Sequence, residues 1–353
     1  MPMICFDLEG PLSPQDNAYE VLALTENGHK VFEVISKYDD ILALEGREDY
    51  EPGDTLKLIA PFLIHHGITE EDIKAVSSRA RIVPGTKEVV SELNSDGWKV
   101  YIISTSYQQH ALNIGEQIGI PKERIACTRF PLDAYAAELG VEDFTLVKDI
   151  EGEILNDLYP KMEEDEIKRV LDDFFFEKLI KTRLGKIFEK ISVVGGKRKV
   201  DALEKFAQEN GKELHELVVV GDSITDFKML KVVKEKGGVA IVFNGNEYAI
   251  PYANVSLATP DQRALLAITS AFARGGKEEA IEVAKVLEER GLEGAPESMV
   301  PRSIRDVLSQ GAIRSMPPKF HCLEDVSKEK IEEVIRIHKN MRMYMRGAAG
   351  KLG

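Results

Sequence analysis

Short, nearly uninterrupted apolar runs recur along the chain at Met3–Phe6, Val100–Ile103, Ile125–Cys127, Leu217–Val220 and Val239–Phe243. Runs of this length without polar alternation suit strands covered on both faces, as in a parallel sheet between helix layers. Between them, Glu88–Asn94, Gln108–Ile118, Val200–Glu209 and Thr225–Lys236 carry helical periodicity and supply the crossovers. The order predicts an α/β fold built on a doubly wound parallel sheet. In such sheets chemistry gathers at the carboxyl ends of the strands, near the point where strand order reverses.

Two intervals are too long for simple crossovers. Residues 13–80 read as helical, with Ala18–Leu24, Lys30–Leu44 and Thr55–His65 as elements, and residues 132–191 form a second insertion. The later half of that insertion, Glu163–Ile191, is strongly helical, acidic early and basic late. Both insertions are expected to act as lids over a strand-end site. Beyond Val255 the pattern is helical at Ala271–Glu289 and Lys328–Met345, with Gly291–Pro318 between them as an extended linker or wrapping arm. The predicted organisation is a core of residues 1–12, 81–131 and 192–258, a helical cap at 13–80, the insertion 132–191 and a helical C-terminal extension 259–353.

Composition narrows the classes. Acidic residues outnumber basic ones 60 to 46, for a formal charge of −14, which disfavours a nucleic-acid partner and requires a locally positive pocket for any anionic substrate. Cys5, Cys127 and Cys322 are odd in number and far apart, so reduced thiols and a cytoplasmic location are expected. The N-terminus lacks a basic region and meets Asp7 early, unlike a secretory leader, and no run is long enough to span a membrane.

The strand ends carry the chemistry. The first exits into Asp7-Leu8-Glu9-Gly10, an acid pair that can reach one phosphate or metal, or simply form a turn. The second exits into Ser104-Thr105-Ser106, whose hydroxyls suit a phosphate oxygen or a helix cap. The fourth exits into Gly221-Asp222-Ser223-Ile224-Thr225-Asp226, an oxygen-rich turn suited to Mg²⁺, with Asp226 equally able to cap a helix. Just upstream, Lys197-Arg198-Lys199 stands at a helix start, where the macrodipole favours anions; a phosphate would resolve that conflict, and a solvated loop would avoid it. All four groups fall at strand ends of one sheet, which points to a shared site.

These segments resemble the four motifs of the haloacid dehalogenase (HAD) superfamily of phosphohydrolases. Asp7-Leu8-Glu9-Gly10-Pro11-Leu12 resembles the DxDGT(L) motif, Ile102-Ile103-Ser104 the second, Lys199 the third and Gly221–Asp226 the fourth, with Phe243–Glu247 and Tyr252–Val255 as a closing segment. The resemblance implies a Mg²⁺-dependent phosphatase of a small phosphorylated metabolite. Asp7 would be the nucleophile, Glu9 the acid/base, Ser104 and Thr105 phosphate ligands, and Lys199 the charge-neutralising lysine with Lys197 as fallback. The metal would be held by Asp7, the Glu9 main-chain carbonyl and Asp222, with Asp226 in support. A carboxylate approaching a phosphate dianion at ~4 Å meets about 8 kcal/mol of repulsion at an effective dielectric of ~20, a size that a divalent ion plus a lysine can offset.

Two positions depart from the family pattern: Glu9 stands where most members carry Asp, and Pro11 replaces the usual Thr, removing a hydroxyl and a donor. A related branch with the same DLEG sequence transfers phosphate to an alcohol, so phosphotransfer is an alternative. The first insertion is placed like the helical cap of phosphoserine phosphatases. Asp16 lies where those enzymes bind the substrate amine, and Arg79 is a candidate for the substrate carboxylate. The long second insertion and helical tail also resemble an archaeal group of the superfamily associated with energy-converting hydrogenase A, subunit R. An accessory role there, with a protein partner docked through the C-terminal helix, is the third alternative. His65-His66 are expected to lie in the core or on the surface, Phe174-Phe175-Phe176 to pack, and His110 suits either the pocket mouth or a helix surface. The apolar stripe Ile331, Val334, Ile335, His338, Met341, Met345 is expected to pack on the protein's own core.

Overall fold

The computed structural model describes residues 2–309 and 314–347. Residues 310–313 of the predicted linker, residues 348–353 of the extension and Met1 of the core lie outside that range.

Each predicted apolar run forms a strand: β1 (Met3–Phe6), β2 (Lys99–Tyr107), β3 (Ile125–Thr128), β4 (Leu217–Gly221) and β5 (Val239–Phe243). The chain adds β6 (Val255–Ala258) and β7 (Lys319–Cys322), giving a seven-stranded sheet in the order β3-β2-β1-β4-β5-β6-β7. The first six strands pair in parallel, and β7 runs antiparallel to β6. The sheet is a doubly wound parallel sheet with helical insertions and a C-terminal helical extension.

Alternation along the strands sorts the side chains onto two buried faces. Ile4, Phe6, Val100, Ile102, Val218 and Val220 enter one cluster. Met3, Cys5, Tyr101, Ile103, Leu217 and Val219 enter the other. Both faces are covered by helices, which is why the strands read as continuous apolar runs. Strand order reverses about β1, so the ends of β1 and β4 open the crevice where such folds bind ligands.

The two insertions are one structural body. Residues from Ala18 to Val76 and from Leu132 to Val193 share a single hydrophobic cluster, in which Tyr38, Phe62 and Phe175 are fully buried. Phe174 and Phe175 are buried there as expected, and Phe176 lies under the Arg47 guanidinium at 3.7 Å. His66 bonds Glu151 at 2.7 Å across the two insertions.

Several expectations need correction. Residues Ser104–Ser106 belong to β2 and not to a helix start, because the strand continues through a register shift to Tyr107. The predicted helix Ala271–Glu289 lies in a longer stretch, Leu266–Gly294, that is broken at Gly275 and Gly276, where the pair of glycines leaves helical geometry. The predicted linker contains a helix, Arg302–Leu308, whose Ile304 and Leu308 are buried against the sheet's core. Beyond it, β7 covers the edge of β6. The terminal helix Lys328–Arg346 packs on its own chain through Ile331, Val334 and Ile335. Among the described residues no helix is long and apolar enough to cross a membrane.

Candidate active site

Asp7 is the first residue after β1 and keeps its N–H on the Val220 carbonyl of β4 at 2.8 Å. The backbone therefore cannot drift, and the carboxylate leaves the sheet beside Asp222. The turn that follows closes through Gly10 N–H to Ser13 O at 2.7 Å and Ser13 N–H to Leu8 O at 2.9 Å. Gly10 has φ +112°, and a Cβ there would collide with the Asp222 carboxylate. Glycine thus lets the β1 exit lie directly against the β4 exit.

Lys199, in the first turn of the helix Lys197–Glu209, donates to Asp7 Oδ1 at 2.7 Å and to Asp226 Oδ1 at 2.6 Å. Asp226 Oδ2 accepts from the N–H groups of Asp222 and Ser223 at 2.9 and 3.1 Å. Both Asp226 oxygens are therefore engaged, and its role is to hold Lys199 and the β4 turn in place. Burial alone would push Lys199 down, but Asp226 and Asp7 outweigh it and hold the ammonium charged. Burial, then Asp226, raise Asp7 to about 7 against the pull of Lys199.

Glu9 Oε1 accepts from Asn17 N–H at 2.9 Å and lies 3.7 Å from His110 Nε2. Burial and the neighbouring Asp16 push its carboxyl up to about 8, which favours the protonated form. Asp16 caps the helix Asn17–Leu22 through Tyr19 N–H at 2.9 Å and also faces the cavity. His110 is fully buried, bonded through Nδ1 to Ser77 Oγ at 2.8 Å, and burial pushes it down to about 3. It belongs to neither the pocket mouth nor a helix surface; it is a neutral wall behind Glu9.

A cavity of about 70 Å³ lies over these groups, lined from the core by Asp7, Glu9, Thr105 and Thr225, and from the first insertion by Asp16, Phe32, Ser36 and Asp39. Gly53 of the cap comes so close that its Cβ would sit 2.8 Å from the Thr105 methyl. Thr105 faces the cavity, whereas Ser104 is buried beneath it with Oγ on Ser106 N–H at 3.1 Å. The basic run divides its work. Lys197 is exposed and its N–H bonds Glu51 at 2.8 Å, while Arg198 pairs with Asp54 at 2.7 Å. Those two thus clamp the cap, and Lys199 alone reaches Asp7. Arg79 is exposed and bonds the Ala75 carbonyl of its own helix at 3.2 Å, away from the cavity.

The donor set fits a hard divalent cation. Carboxylate oxygens of Asp7, Asp222 and Asp226 lie within 4.8 Å of one another, and Asp222 Oδ1 is buried with no hydrogen-bond partner among the described residues. An all-oxygen cluster with an orphaned carboxylate oxygen suits Mg²⁺.

Two further residues at the site are absent from the motifs. Arg342 bonds Asp222 Oδ2, and Arg346 reaches the same oxygen at 3.1 Å. Neither was singled out from the sequence alone. Their spacing held the signal, because Val334, His338, Arg342 and Arg346 recur at every fourth position and so share one helix face.

A family model of haloacid dehalogenase-like hydrolases matches residues 1–234. The structure of gene product AF1437 from Archaeoglobus fulgidus is similar with a TM-score of 0.80 and 30% identity, covering 100% of this chain and 99% of that one. A substrate-bound phosphoserine phosphatase complex is similar with a TM-score of 0.49 and 18% identity, covering 75% of this chain and 96% of that one. No curated protein matches the sequence. By its family match and by the buried acidic cluster typical of phosphoric monoester hydrolases, the chain belongs to the haloacid dehalogenase-like hydrolases and is an enzyme.

Proposed function

We propose that the protein is a Mg²⁺-dependent phosphatase of a small phosphorylated metabolite, acting through an aspartyl-phosphate on Asp7. The observation that carries this reading is the buried contact of Lys199 with Asp7 at 2.7 Å, in the wall of a capped cavity and beside the orphaned oxygen of Asp222.

Asp7 and Asp222, with the Glu9 main-chain carbonyl, are the oxygen donors we assign to Mg²⁺, supported by Asp226. When bound, the ion offsets the negative charge shared by the phosphoryl group and the acids around it. Asp7 attacks phosphorus with a carboxylate oxygen, and the bond from phosphorus to the leaving oxygen breaks. Glu9, held protonated by burial and Asp16, gives its proton to that oxygen. The resulting Glu9 carboxylate then takes a proton from water as the water attacks phosphorus, and Asp7 departs as the free carboxylate. Lys199 holds Asp7 in line throughout and screens its charge. Thr105 is the hydroxyl best placed for a phosphoryl oxygen, with Ser104 supporting it from below, and Asp16 faces the leaving-group side.

The cavity is well below the roughly 300–1,000 Å³ usual for small-molecule pockets. The substrate therefore enters when the cap lifts and reacts when it closes. Val334 and His338 of the terminal stripe are buried against the chain itself and Ile331 and Ile335 are half-buried there, which supports the phosphatase reading over docking through that helix.

The test is phosphate release from an aryl phosphate and then a metabolite panel, with and without Mg²⁺, comparing wild type with Asp7→Asn. Turnover that needs both metal and Asp7 is expected. A folded, metal-binding protein that is inert on every phosphate ester would overturn the reading, and capture of phosphate by an added alcohol in place of water would make it a phosphotransferase.

A further inference from the structure

The terminal helix is fixed at the site by more than packing. His338 is fully buried and its Nδ1 accepts from Gly245 N–H at 3.0 Å. The adjoining Asn246 N–H bonds the Asp222 carbonyl at 2.8 Å. One turn further on, Arg342 bonds the Asp222 carboxylate, and one turn beyond that Arg346 bonds it too. The helix therefore carries its last two inward positions to the end of β4.

Arg342 and Arg346 do different things there. Arg342 is enclosed, with its side chain 2% exposed, and secures Asp222 Oδ2. The Arg346 side chain is 7% exposed, and the residue lines the cavity together with Asp7, Glu9, Asp16 and Thr105. Its Nε–H is buried with no hydrogen-bond partner among the described residues. A guanidinium presents its donors in a fixed planar fork. With one terminal nitrogen on Asp222, the Nε–H is left without an acceptor, and an unsatisfied charged donor is costly to bury.

The cavity's charge says what the missing acceptor is. Asp7, Glu9, Asp16 and Asp39 all line it, and Arg346 is the one cationic side chain among the described lining residues. Lys199 stands behind Asp7, already shared between two carboxylates. A phosphate ester entering this acidic chamber needs a donor on its own side of Asp7, and guanidinium is well matched to phosphoryl oxygens.

We propose that Arg346 is a substrate-binding residue whose guanidinium donates to the phosphoryl oxygens while it remains bonded to Asp222. This rests on the phosphatase reading above. It makes the C-terminal helix part of the active site, and it leaves Asp222 Oδ1 available because both arginines occupy Oδ2.

The test uses the full-length protein with Mg²⁺ and inorganic phosphate as the probe, with affinity measured by calorimetry for wild type, Arg346→Gln and Arg346→Lys. Arg346→Gln is expected to weaken phosphate at least about tenfold, equivalent to about 1.4 kcal/mol, and to raise KM for an aryl phosphate by more than it lowers kcat. Arg346→Lys keeps the charge without the fork and should recover only part of the loss. Thermal unfolding within a few degrees of wild type separates this from a packing defect; if Arg346→Gln does not fold, Arg346→Lys decides. Phosphate affinity equal to wild type in the variants overturns the proposal, as does faster turnover in Arg346→Gln, which would make the arginine a latch that blocks the site. If wild type itself neither binds phosphate nor hydrolyses any ester, the phosphatase reading falls and this inference falls with it. If wild type does both and Arg346→Gln matches it, only the role of Arg346 is lost.

Discussion

Lys199 Nζ lies 2.7 Å from Asp7 Oδ1, and the lysine is wholly buried with the carboxylate side chain only 5% exposed. The contact commits three side chains at once, because Asp226 accepts a second hydrogen bond from the ammonium. Removing Lys199 strands two buried carboxylates. Lys199→Met should therefore abolish turnover and also destabilise the fold by about 3–5 kcal/mol, the usual cost of breaking a buried pair by deleting one partner. Urea unfolding of the variant measures the second effect, and an unchanged midpoint would refute it.

Glu9 sets the alkaline limb of the pH profile. Burial and Asp16 raise its carboxyl to about 8, and the proton it carries is the one given to the leaving oxygen. The value of kcat/KM should fall as pH rises through about 8, and Glu9→Gln should lose that limb. The loss in kcat/KM, which reports steps up to departure of the leaving group, should be roughly 10²–10⁴-fold on alkyl phosphates and much smaller on an aryl phosphate whose leaving group needs no proton, while kcat falls for both because Glu9 also activates the hydrolytic water. The same shift acts on stability. The folded value lies above the unfolded one, so its contribution is fully present below about pH 4.5 and is lost as pH rises through about 8.

Gly10 is a second point of failure. Its φ of +112° strains any other residue, and a side chain there would run into Asp222. Gly10→Ala should destabilise the protein by about 1–3 kcal/mol and weaken Mg²⁺ binding. Calorimetric titration with Mg²⁺ in the absence of substrate reads the second effect directly.

His66 and Glu151 join the two insertions at 2.7 Å, and the hydrogen bond to Glu151 raises the imidazole above its ordinary value against a smaller opposing effect of burial. The stabilisation is fully present below about pH 6.5 and is lost as pH climbs through the raised folded value. Thermal unfolding from pH 6 to 9 should show a downward step in wild type that Glu151→Gln removes.

The sequence disclosed the site where chemistry ends an apolar run abruptly. Asp7 and Asp222 follow strands whose last residues are Phe6 and Gly221, so the sheet's apolar signal and the acids' positions coincide. Ser104 and Thr105 were harder to assign, because β2 continues past its last aliphatic residue and only the bulge decides which hydroxyl faces the cavity. β7 escaped notice because four residues after Pro317-Pro318 carry too little pattern to distinguish an edge strand from a loop. Arg342 and Arg346 were hidden for another reason. An arginine on an apolar stripe reads as a solvated edge until the partner that buries it is known, and that partner, Asp222, is far away in sequence.

The shared core of the two insertions separates shaping the pocket from touching it. Among the described residues, no side chain between 132 and 191 lines the cavity, yet Phe175, Leu171 and Phe188 are buried in the cluster that also holds Phe32 and Leu56, which do line it. A repacking mutation in the second insertion will therefore travel through that cluster and move the roof of the chamber. Substrate choice in this enzyme is open to drift from positions that never meet a substrate, and directed evolution for a new ester should draw variants from both insertions together.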